Sequence, residues 1–90
     1  MSDVVRRRAE VTVRNTSNGA LLIDLATGKC WQLNRIGADF IEAIETDRSL
    51  QAVCDALRDR YDVPPEVLER DLCRLSQELS DAGLIERTRG

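Results

Sequence analysis

Polar and apolar positions alternate from Glu10 to Arg14 (Glu-Val-Thr-Val-Arg) with β-branched residues, the pattern of a strand with one buried face. Asn15-Thr-Ser-Asn-Gly19 interrupts the pattern with turn formers, and Ala20 to Asp24 resumes it as a run apolar enough for a central strand. Ala26-Thr-Gly28 is a tight turn in which glycine can supply a positive φ, and Lys29 to Leu33 alternates again. Strands joined by links this short pair antiparallel, so the first third predicts a three-stranded meander.

At Asn34 the period changes from two to about 3.6. Asn34 is a good N-cap for a first helix with an apolar stripe of Ile36, Phe40, Ile41 and Ile44, ending near Glu45. Ser49 caps a second, in which Leu50, Val53, Cys54, Leu57 and Tyr61 share one face. Asp62-Val-Pro-Pro65 ends it, since proline breaks the hydrogen-bond ladder yet suits the first turn of a new helix. The third helix runs to Ala82 with a stripe of Leu68, Leu72, Leu75, Leu79 and Ala82, and Gly83 supplies a left-handed stop before Leu84-Ile85. The predicted fold is α+β, a winged helix-turn-helix-like domain with a three-stranded antiparallel sheet followed by three helices. Residues 1–10, with their Arg6-Arg7-Arg8 run, are expected to be a flexible N-terminal segment, 11–85 a single domain and 86–90 a tail.

Ninety residues suffice for one modest core, and with one Trp, one Tyr and one Phe that core rests on Leu, Ile and Val. A net charge of −3 argues against nonspecific attraction to nucleic acid or to anionic membranes. No apolar run approaches a membrane span, and Met1 to Glu10 lacks the apolar stretch of a secretory signal, so a cytoplasmic location is expected. Cys30, Cys54 and Cys73 are read as reduced thiols acting as small buried hydrophobes.

The absence of histidine removes the commonest general base and the commonest nitrogen ligand for metals. Three isolated cysteines do not make a zinc site, and the five glycines form no phosphate-cradling cluster. Carboxylates such as Asp71 and Glu78 read as a solvated face. The expectation is a protein that is not an enzyme, with no cofactor and no metal.

Binding is a better prospect. An outer strand of a meander leaves backbone N–H and C=O groups unpaired, and an extended peptide can add to that row, with pockets for alternate side chains giving selectivity. The strand Lys29, Cys30, Trp31, Gln32, Leu33 holds the only Trp and leads into the first helix. Beside the third helix it would bound a groove; alternatively, Trp31 and Leu33 point to the core and charge alone caps the edge. Val67, Asp71, Arg74 and Glu78 form a strip next to the core stripe of the third helix, at i, i+4, i+7, i+11 spacing, which is either the other wall or an ordinary helix flank. DNA binding is the rival class. Between Pro65 and Ala82, however, Glu66, Glu69, Asp71, Glu78 and Asp81 outnumber Arg70 and Arg74, a poor balance for a helix facing phosphates.

The string from Leu21 to Ala38, followed by Ser49-Leu50, Tyr61-Asp-Val63, Asp71-Leu72 and Ala82-Gly-Leu-Ile85, resembles the PqqD-like peptide-recognition elements, and more specifically the stand-alone members of lasso-peptide biosynthesis. The resemblance covers Val11 to Ile85, with no single motif specific and the ordered set more so. It implies a domain that binds the leader of a ribosomally made precursor as a strand against the third strand, beside the third helix. Carried over, the groove comprises Lys29, Cys30, Trp31, Gln32 and Leu33 on one side and Val67, Asp71, Leu72, Arg74, Leu75 and Glu78 on the other; only Trp31, Leu33, Asp71 and Leu72 stand at positions of the family pattern, and the rest follow from geometry. The implied partners are the leader segment, a separate transglutaminase-like cysteine leader peptidase and a macrolactam-forming cyclase, with neither nucleic acid nor membrane. A related reading is the peptide chaperone of pyrroloquinoline quinone synthesis, which delivers its precursor to a radical enzyme; the sequence lacks the proline-containing N-terminal segment expected there.

Overall fold

The structure, a computed structural model, describes residues 3–88. In chain order its elements are β1 (Val4–Arg7), β2 (Val11–Thr16), β3 (Gly19–Asp24), β4 (Cys30–Asn34), α1 (Arg35–Ala43), β5 (Arg48–Ser49), α2 (Leu50–Arg58), α3 (Pro65–Asp81) and β6 (Ile85–Thr88). They make an α+β domain with two three-stranded antiparallel sheets and three helices.

The expected meander is the sheet β2-β3-β4. Its first turn is tighter than the sequence suggests: Asn15 and Thr16 continue β2, and the register Thr16↔Gly19 leaves only Ser17 and Asn18 to reverse the chain. Gly19 is required there, because a Cβ would lie 1.9 Å from the Leu33 carbonyl oxygen. The second turn uses Gly28 at φ 77, with its N–H donating to the Asp24 carbonyl at 2.7 Å.

The second sheet, β5-β1-β6, is a correction to the sequence reading. Instead of a flexible segment, Val4–Arg7 forms its central strand, paired with Arg48–Ser49 on one flank and Ile85–Thr88 on the other. Val5 is fully buried, and Arg87 ties the sheet to α3 by donating to Asp3 at 2.7 Å and to Ser76 Oγ at 3.2 Å. The pairing partners are some 40 and 80 residues away, beyond the reach of a periodicity argument.

The helices begin where the caps place them. Asn34 accepts from the Gly37 N–H at 2.9 Å and Ser49 from the Ala52 N–H at 3.1 Å, each satisfying an amide that the helix start leaves free. Phe40, Ile41 and Ile44 of the first stripe and Leu50, Val53, Cys54 and Leu57 of the second are buried with Leu22 and Leu33 in one core. Two details differ from the periodicity. The second helix ends at Arg58, so Tyr61 lies beyond it and donates instead to Asp39 of α1. On α3, Leu75 is only half-buried while Ser76 is fully buried, its hydroxyl satisfied by the Cys73 carbonyl at 2.9 Å and by Arg87. Gly83 stops α3 at φ 78 as expected.

Candidate functional site

β4 lies at an edge of its sheet: it pairs with β3, and among the described residues no strand covers its other flank. The ladder begins with the Asp24 N–H donating to the Lys29 carbonyl at 2.9 Å. In an antiparallel pair the bonded positions alternate, so with the register Leu22↔Trp31 and Ala20↔Leu33 the backbone groups of Trp31 and Leu33 turn to β3, and those of Cys30 and Gln32 turn to the open edge. Side chains alternate in the orthogonal sense. Leu33 enters the core, and Trp31, on the same face but at the sheet's end, keeps 36% of its surface exposed. Cys30 and Gln32 stand on the opposite face, both exposed, which corrects the expectation that every cysteine is buried.

Where β4 gives way to α1 the surface opens into a trough of about 240 Å³, lined by Asn34, Ile36, Gly37, Asp71, Leu72, Arg74, Leu75 and Glu78. The sequence-predicted wall of α3 is thus largely assembled: Asp71, Leu72, Arg74, Leu75 and Glu78 face one cavity. Val67, half-buried, stands outside its lining, as do Cys30, Trp31, Gln32 and Leu33 of the strand leading to it and Lys29, which precedes that strand where the sequence pattern had it as the first residue. The sequence reading missed Asn34, Ile36 and Gly37. A signal for them existed. The Asn34 cap puts the first turn of α1 directly after an edge strand and so beside it, and Gly37 lets that turn pack close to Leu33, where a Cβ would lie 3.0 Å from that of Leu33.

The trough has an apolar floor from Ile36, Leu72 and Leu75 and a charged rim from Asp71, Arg74 and Glu78. Among the described residues none of these three charges enters an ion pair or a side-chain hydrogen bond. Such a surface sets apolar contact area beside charged groups of both signs. Burial pushes the Cys54 thiol up to about 11, with the Cys73 and nearby carboxylate charges adding to the effect, so at neutral pH it is protonated and a poor nucleophile. Among the described residues no group of His, Cys, Asp and Glu is placed to hold a metal ion, and no helix is long and apolar enough to cross a membrane.

Residues 19–85 match the family model described as coenzyme PQQ synthesis protein D (PqqD). Three solved structures are similar. TbiB1 in complex with the TbiA(beta) leader peptide is 23% identical, with 90% of this chain and 94% of that one covered at a TM-score of 0.80. A lasso peptide synthetase B1 complexed with the leader peptide is 30% identical, with 91% and 96% covered at 0.78. The PqqD truncation of Methylobacterium extorquens PqqCD, a stand-alone recognition element for ribosomally synthesised and post-translationally modified peptides, is 19% identical, with 93% and 89% covered at 0.77. The first and third likenesses show the fold. No curated protein matches the chain.

Proposed function

The chain belongs to the PqqD family, whose members are non-catalytic binding modules, and from that premise we propose that it recognises the leader region of a ribosomally synthesised precursor peptide by strand addition to β4. The observation that carries the proposal is the open edge running directly into the α3 trough. Cys30 and Gln32 offer main-chain hydrogen bonds to the added strand, and the cavity beyond Asn34 receives a side chain. Trp31 and Leu33 complete the strand, with Lys29 just before it; Leu72 and Leu75 form the apolar floor with Asp71, Arg74 and Glu78 above it, and Val67 extends this wall by one turn.

The pathway is of the lasso type. A likeness at 30% identity to a lasso peptide synthetase B1 bound to a leader supports this, as does the Trp31-Gln-Leu-Asn34 string. The module then presents its precursor in the cytoplasm to a separate leader peptidase, and a macrolactam-forming cyclase acts afterwards. Tethering the leader raises the precursor's effective concentration at the peptidase, so moderate affinity suffices.

Titration of the purified chain with a labelled leader, taken from a precursor gene beside this one, tests the reading. Saturable binding of one leader per chain is expected, with no binding of labelled duplex DNA. Preference for the duplex would overturn it, and a radical-enzyme gene in place of peptidase and cyclase genes nearby would move the protein to the chaperone branch of the family.

A further inference from the structure

The rim of the trough carries charges of both signs on one face of α3. Arg74 and Glu78 stand four residues apart on one face of α3, both exposed, both lining the cavity, and they do not pair with each other. A base placed N-terminal to an acid at this spacing is the less favourable order for an intrahelical pair, and Asp71, three residues before Arg74 on the same rim, forms no ion pair with it either. Four helical residues rise about 6 Å. Two residues of an extended strand, which put successive side chains on the same face, rise about 6.6 Å. A strand lying along α3 would then meet Arg74 and Glu78 with consecutive side chains of one face.

Resting on the reading of the trough as the leader site, we propose that Arg74 and Glu78 are specificity-determining residues that select a leader with one acidic and one basic side chain two positions apart, adjoining the apolar side chain seated on Ile36, Leu72 and Leu75. Arg74 takes the carboxylate, with its planar guanidinium fixing the geometry, and Glu78 takes the base. The order of the two charges sets the direction and register of the strand, which main-chain hydrogen bonds alone leave free to slip. The site thus reads charge order. Net charge does not enter, since the acid and the base cancel.

The test is a selection of displayed random peptides on the purified chain and on its Arg74→Glu and Glu78→Lys variants, whose exposed positions leave the core untouched. The wild type is expected to enrich peptides with an acid and a base two positions apart in one fixed order. Arg74→Glu should convert only the acidic position to basic, and Glu78→Lys only the basic position to acidic. A peptide enriched on the wild type should bind each variant about threefold to thirtyfold more weakly, as for exposed ion pairs made repulsive, and recover when its matching charge is reversed. Enrichment of apolar peptides with no charge order, or one that neither variant alters, overturns the inference while leader binding stands. If no peptide is enriched over an unrelated domain, the inference and the proposed function fall together.

Discussion

Neighbouring residues of β4 have opposite duties, and single substitutions can separate them. The Gln32 N–H faces the open edge, so Gln32→Pro should leave the thermal melt close to wild type and weaken leader binding by removing a donor at a position where a sheet tolerates proline. Trp31→Pro removes an N–H that serves β3 and should lower the melting temperature itself. Calorimetry and leader titration on both variants check the assignment; equal effects would mean the register is wrong. The same division holds on α3. Leu72 is 1% exposed, and Leu72→Ala should cost about 2–5 kcal/mol of stability by chemical denaturation. Half-buried Leu75 can be truncated to Ala with much of its effect on binding, an affinity loss of about tenfold. Sequence pattern put both leucines in one stripe, because a helical wheel shows a face and not what lies opposite it. At Ser76 the wheel fails for a different reason: a serine reads as polar, and only the approach of Arg87 from the end of the chain explains its burial.

Turns and caps made the elements legible. Asn34, Ser49, Pro65, Gly28 and Gly83 each mark a boundary by local chemistry, and each does so in the structure. Gly19 marks something nonlocal, the close passage of the Leu33 backbone, so Gly19→Ala should destabilise by about 1–3 kcal/mol although the residue lies beside a surface turn. The connection between α2 and α3 is held to α1 by Tyr61, which donates to Asp39, and by Arg60, which pairs with Asp39 at 3.7 Å. Burial pushes the Tyr61 hydroxyl up to about 12, and the hydrogen bond to Asp39 and that residue's charge act in the same direction. An acid whose pKa is higher in the folded chain than the usual 10 stabilises the fold below pH 10 and loses that contribution between about pH 10 and 12. The stability advantage of the wild type over Tyr61→Phe should accordingly be constant up to pH 10 and shrink above it. Urea titrations of both proteins across this range measure the difference directly.

For the molecule as a whole, the meander and helices were legible because each is specified within its own segment, and the second sheet was not, because β1 acquires its meaning only from β5 and β6. Val4-Val5-Arg6-Arg7 has no period of two, yet Val5 is completely buried. Val5→Ala should therefore cost about 1.5–3 kcal/mol, and removal of residues 1–7 should cost more than any single substitution in that segment, both measurable as shifts of the denaturation midpoint. The proposed acid and base of the leader belong to this scale too, since together they are neutral and such a leader would draw no long-range attraction from a protein of net charge −3.

The antiparallel pairing of β1 with β6 sets Val4 across from Thr88, so the two ends of the described chain leave the fold at the same rung. Tension applied to those ends would part the rungs in succession, as a zipper opens, instead of shearing all of them together. Pulling on both ends should therefore open this seam at lower force than shearing the same strands would need.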